Sequence, residues 1–202
     1  MKTIVITGPS GSGKSFLSKI INKVFSNTIV ISTDSYYRDD LIIKLLSFFL
    51  HDIYDRLISI KEKKILLTIN SLIKKEKTTI FYNYDFKSKK SSKHLRFIKS
   101  QKNIRFIILE GIFAHRLELN YNNTINILCD QNKELCRNRR IRRDQLERGR
   151  NINEVSRKFN KSWYLYFKNL NNFKKQKKII TLRSDDNNVY KKLINNLENY
   201  NK

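Results

Sequence analysis

The stretch that decides the fold is Gly8-Pro9-Ser10-Gly11-Ser12-Gly13-Lys14-Ser15, near the start of a 202-residue chain. It fits the pattern G-x-x-x-x-G-K-S/T, whose spacing has a physical cause. Backbone N–H groups must converge on a phosphate, and glycines let the chain come that close. The helix that follows turns its positive end toward the anion. Lys14 can reach β- and γ-phosphates, and the Ser15 hydroxyl can join Mg²⁺. Gly8 to Ser15 is therefore expected to hold ATP or GTP. The flanks agree: Lys2 to Thr7 reads as a buried strand, and Phe16, Leu17, Ile20, Ile21 and Val24 recur at helical spacing.

Further strands are expected at Thr28–Ser32, Ile104–Leu109, Thr124–Cys129 and Lys178–Leu182, with a hairpin strand at Thr79–Phe86. Helical stretches are expected at Leu41–Leu50, Ile53–Ile73, Lys133–Arg148, Asn151–Leu170 and Asn187–Tyr200. Strands alternating with helices predict an α/β fold, a parallel sheet flanked by helices. One domain over residues 1–202 is expected, with an acceptor-binding insertion at about 35–102 and a lid at about 137–160. Lys87 to Lys102 holds seven Lys or Arg and no acid, which suggests a solvated loop or hairpin excursion.

The net charge of +24 suits a polyanionic partner, yet 28 Lys, 23 Asn and 27 Ile beside one Ala also fit an AT-rich genome. No basic motif with interleaved aromatics is visible, so a nucleic-acid partner is not expected. No apolar run nears the ~18 residues that cross a bilayer, and neither a membrane nor a secretory segment is expected. Cys129 and Cys136 show neither a disulfide framework nor zinc spacing, which places the chain in a reducing cytoplasm. Leu41 to Leu50 is apolar on several sides, and fits either core or a contact in a homo-oligomer.

Ligands of parallel sheets bind at the carboxyl ends of the strands. Asp34 and Glu110 stand at two such ends. One can take a proton from an acceptor hydroxyl while the other, with Ser15, holds the metal. Seven of the chain's arginines crowd between Arg137 and Arg150. Guanidinium forks match phosphate oxygens, so a closing helix could carry them over a nucleotide. The competing reading is a solvated helix with Asp144 and Glu147 as surface partners.

Together these residues resemble the uridine kinase branch of the phosphoribulokinase/uridine kinase family. Gly8 to Ser15 matches its G-x-S-G-S-G-K-S/T loop. Ser32 to Tyr37 resembles its S-x-D-x-F/Y-Y segment, and Tyr84-Asp85-Phe86 its Y-D-F/Y segment. Glu110-Gly111-Ile112 matches its E-G-I strand end. Arg139 to Asp144 with Glu147 to Arg150 resembles its R-R-x-x-R-D…E-R-G-R lid. All five glycines fall inside these motifs. The resemblance implies Mg²⁺-dependent transfer from ATP or GTP to the 5′-hydroxyl of uridine or cytidine. It implies Asp34 as general base beside Lys14 and Arg143. Ser15 and Glu110 would hold the metal, and Arg143 and Arg148 the phosphates. Tyr37, Tyr84, Phe86 and Arg140 would meet the acceptor.

The likeness breaks at the acceptor. The family's N-F/Y-D-x-P ribose segment is replaced by Leu50-His51-Asp52-Ile53-Tyr54-Asp55, where Asp52 or Asp55 takes the role and Asp52 is the first candidate. Lys89 stands where the family has a base-reading His, and Lys158 where it has an acceptor-contacting Gln. Two other readings stay open. One is the same chemistry on another small hydroxyl acceptor, such as a sugar phosphate or a pantothenate-like molecule. The other is a nucleotide- and RNA-binding protein without turnover.

Overall fold

Apolar, β-branched runs that bury both faces belong inside a parallel sheet, and Lys2–Thr7 is one of them. The computed structural model describes residues 1–50, 53–98, 104–117, 119, 124–176, 178–183 and 187–199. In chain order these residues form β1 (Lys2–Thr7), α1 (Lys14–Val24), β2 (Thr28–Ser32), α2 (Leu41–Phe49), α3 (Glu62–Ile73), β3 (Thr78–Asp85) and β4 (Lys90–Phe97). There follow β5 (Phe106–Glu110), β6 (Thr124–Cys129), α4 (Lys133–Arg148), α5 (Ile152–Gln176), β7 (Ile179–Leu182) and α6 (Asn187–Asn199). Five strands form one parallel sheet in the order β2-β5-β1-β6-β7, and β3 with β4 makes a separate antiparallel pair.

Alternation along the strands divides the core. Ile4, Ile6, Ile108 and Ile127 face Leu17 and Ile21 of α1 and Leu193 and Leu197 of α6. Val5, Ile31, Ile107 and Leu109 face Ile65, Ile69 and Leu72 of α3 and the aromatic residues Tyr36, Tyr37, Phe81 and Phe113. Each aliphatic side chain so buried contributes roughly 1.5–3 kcal/mol. β1 lies at the centre, so the loop after it starts from the most protected part of the sheet.

One sequence expectation needs correction. Ile53–Ile73 is not one helix: two 3-10 turns, Ile53–Asp55 and Leu57–Ser59, precede α3. The Arg38 N–H donates to the Ser59 carbonyl and the Lys61 N–H to the Tyr36 carbonyl, which holds Ile60 extended beside Tyr37. Of the loop or hairpin expected over Lys87 to Lys102, the hairpin is what forms: Lys90–Phe97 is a strand paired residue for residue with β3, from Thr78↔Phe97 to Asp85↔Lys90. The apolar helix α2 buries Ile43 but leaves Leu41, Ile42, Leu45, Phe48 and Phe49 exposed, so it is not a core helix.

Candidate active site

The loop after β1 is wedged between β6 and α4. A Cβ on Gly8 would meet Ser12 Oγ and come within 2.7 Å of the Cys129 carbonyl. One on Gly11, whose φ is +87°, would run into the Cys136 carbonyl. Lys14 is buried, and its Nζ donates to the Pro9 carbonyl at 2.9 Å, curling over the cradle. Burial lowers its pKa from the usual lysine range, while Glu110 and Asp34 work against that shift.

The two acids arrive from neighbouring strands. Ser32 pairs with Glu110 in the β2–β5 register, so both strands end level. Asp34 follows on a 3-10 turn, Thr33–Tyr36. Gly111 sits against Thr33, where any Cβ would overlap the Thr33 hydroxyl. Ser15 Oγ donates to Glu110 Oε2 at 3.1 Å. The carboxyl of Glu110 is pushed up, first by burial and then by Asp34, against the pull of Lys14, Ser32 and Ser15. Asp34 Oδ1 is buried without a hydrogen-bond partner. An orphaned carboxylate oxygen there costs upwards of about 1–3 kcal/mol, and points to a proton donor or cation that completes it. Among the described residues no group of three or more His, Cys, Asp and Glu could hold a metal ion. Mg²⁺ takes one or two protein oxygens beside waters and phosphate, and the hydroxyl of Ser15 with the carboxylates of Glu110 and Asp34 fits that ion.

α4 starts where Asn132 Oδ1 accepts the Glu134 and Leu135 N–H groups, and stops at Gly149 with φ 61°. Its arginines reach the cradle. Arg143 Nη2 donates to Ser10 Oγ at 3.2 Å, and Arg139 Nη1 lies 3.5 Å from the Gly11 carbonyl. Arg140 turns the other way and donates to Ser162 Oγ of α5 at 2.6 Å. Asp144 is wholly buried, contrary to its reading as a solvated surface partner. Arg143, Arg148 and Arg150 bind it at 3.1, 3.3 and 3.2 Å, and Arg140 stands 3.9 Å away. Glu147 is exposed.

Beside α4 lies a cleft of about 570 Å³ lined by aromatic side chains and cations. The Tyr37 ring is 5.4 Å from Tyr84, 5.7 Å from Phe86 and 5.9 Å from Tyr54. Arg148 stacks 3.8 Å over Phe86, and Tyr37 donates its hydroxyl to the Tyr54 carbonyl at 3.0 Å. Asp55 and Arg140 border this cleft and also a smaller, more apolar cavity of about 370 Å³ behind Pro9 and Ser10. His115 in that second cavity is buried, with Nδ1 2.8 Å from Thr7 Oγ1. Burial, aided by Arg116, lowers its pKa to about 4.

The structure brings Lys14, Ser15, Asp34, Glu110 and Arg143 together around the cradle, and Tyr37, Tyr84, Phe86, Arg140 and Arg148 around the cleft. Asp52 lies outside the described residues. Asp55, second choice in the sequence, lines the cleft together with Tyr54. Tyr54, Arg150 and the buried role of Asp144 were missed. The clue for Asp55 was its neighbour, since an aromatic-acid pair can offer a ring face and a hydroxyl acceptor side by side.

A parallel sheet of this strand order, with the phosphate loop after its central strand and an arginine helix above it, defines the P-loop kinase class. Residues 64–190 match the Phosphoribulokinase / Uridine kinase family. A uridine kinase of Alkaliphilus metalliredigens is 32% identical over 167 residues, covering 77% of this chain and 74% of that protein. One of Haemophilus ducreyi is 33% identical over 162 residues, covering 75% and 71%. A uridine kinase of Schizosaccharomyces pombe is 28% identical over 166 residues, and the match spans 80% of this chain but only 36% of that protein. The chain belongs to the phosphoribulokinase/uridine kinase family. In three dimensions it resembles the solved structure of the YGR205w protein, with a TM-score of 0.62 at 15% identity over 91% of this chain and 86% of that one, which is a likeness of fold.

Proposed function

We propose that this protein transfers the γ-phosphoryl group of ATP or GTP to the 5′-hydroxyl of a pyrimidine nucleoside, uridine or cytidine. The observation that carries the reading is Asp34 Oδ1, buried and unpartnered at the strand edge shared with Glu110 and Lys14. A carboxylate so placed accepts the hydroxyl proton as the acceptor oxygen forms its bond to the γ-phosphorus. The bond from that phosphorus to the bridging oxygen breaks, and the nucleoside diphosphate leaves. Lys14 and Arg143 hold the phosphate charge as it shifts toward the leaving group. Ser15 and Glu110 would hold Mg²⁺, which when bound neutralises the β- and γ-phosphate oxygens. Tyr37, Tyr84 and Phe86 offer ring faces to a base, while Asp55 and Arg140 at the junction of the two cavities suit ribose hydroxyls. The names of the three curated relatives support the acceptor class.

The test is ADP release by purified protein with ATP and Mg²⁺ over uridine, cytidine, purine nucleosides, ribulose 5-phosphate and pantothenate. Turnover with uridine or cytidine is expected. Release with another acceptor and none with either pyrimidine nucleoside overturns the assignment and leaves the phosphotransfer reading in place.

A further inference from the structure

We infer that the acceptor carries a negative charge on the edge of its ring that faces Lys89. The inference rests on the proposed nucleoside reading and narrows it to a ring-substituted anion. The aromatic cleft opens outward: Tyr54, Lys89 and Lys158 border both the cleft and a second hollow of about 530 Å³. Arg157 and Glu154 line that outer hollow. Cations elsewhere in the site already have partners. Arg140, Arg148 and Arg150 share Asp144, and Lys158 donates to Glu154 at 2.6 Å. Lys89 makes no ion pair or hydrogen bond among the described residues. It sits in the turn between β3 and β4 at a φ of 53°, a conformation that Gly or Asn adopts with less strain.

The outer end of the cleft thus holds three cations, Lys89, Arg157 and Lys158, against one carboxylate, Glu154. Lys89 and Arg157 are exposed to water; a neutral base edge gains nothing from them, whereas an anionic substituent gains charge-assisted hydrogen bonds. The aromatic walls of the cleft suit a flat group inside this rim. A ring nucleoside with a carboxylate on its outer edge meets both demands. A phosphorylated sugar supplies the anion without the ring.

The experiment compares kcat/KM for uridine, 5-methyluridine, 5-carboxyuridine and ribulose 5-phosphate at about 50 mM and about 300 mM salt, where screening differs. 5-Carboxyuridine is expected to exceed 5-methyluridine about tenfold at low salt, in line with a charge-assisted contact. The gap should narrow at high salt, and Lys89→Glu should close it. Equal or better turnover of the neutral nucleosides overturns this inference alone, as does an equal loss for both nucleosides in Lys89→Glu. Turnover confined to ribulose 5-phosphate overturns the nucleoside reading and this inference with it, since that acceptor carries no ring. Turnover of none of the four overturns both.

Discussion

Lys14 is an ammonium drawn into a buried place, and Glu110 and Asp34 are what keep its charge there. Asp34→Asn keeps the shape and deletes the proposed base, so kcat should fall about 10²–10⁴-fold while nucleotide affinity, read by fluorescent-nucleotide displacement, stays near that of the parent. Lys14→Met should lower kcat by about 10²–10³-fold, the usual cost of one donor to transferring charge. Glu110 has a raised pKa, so its charged form opposes folding at neutral pH. Glu110→Gln is therefore expected to raise the urea midpoint and also the Mg²⁺ concentration needed for half-maximal rate. For the parent, Mg²⁺ dependence should worsen as pH falls, starting at a higher pH than an ordinary glutamate would give. At this scale the sequence was most legible. Lys14, Ser15 and the glycines act through contiguous backbone, and so their spacing carries the geometry. Asp55 was harder, because its place depends on Ile60 pairing with Tyr37, a contact no local pattern announces.

At the scale of elements, α4 is held less by its own periodicity than by one carboxylate. Asp144 lies under Arg140, Arg143, Arg148 and Arg150, and breaking a buried charge cluster from its anionic side costs about 3–5 kcal/mol. Asp144→Ala should show that loss in denaturant unfolding, and Glu147→Ala, on the exposed side of the same helix, should be near neutral. The sequence showed the arginines but not which acid sits beneath them. Both Asp144 and Glu147 fall in the same charged run, and only the packing of α4 against α5 decides which is interior. For β4 the sequence leaves loop and hairpin both open, for a related reason. Its side chains are mostly exposed, so the alternation that usually marks a strand has no buried half to display.

For the whole molecule, two features set the dependence on solvent. The charge of +24 makes the folded state repel itself. Melting temperature should rise as salt increases from about 10 mM to about 300 mM, because screening shortens the reach of that repulsion. His115 adds a pH term. Unfolded, it takes a proton near 6.5, and folded only near 4. The unfolded chain therefore binds more protons between these values, and stability falls as pH drops through that window. The loss is on the order of 3 kcal/mol from the linkage between the two pKa values. It should be visible as a falling urea midpoint that His115→Gln largely flattens.

The division into two sheets has one more consequence. The cradle hangs on a five-stranded parallel sheet whose inner strands β1 and β5 are buried on both faces, whereas Tyr84, Phe86 and Lys89 belong to the two-stranded hairpin and its turn. Change in the hairpin leaves every hydrogen bond of the larger sheet in place. With the acceptor placed as proposed, a lineage with this architecture can alter its taste in acceptors while inheriting the phosphate loop unchanged, and it is in the hairpin and the segment before α3 that descendants should diverge first.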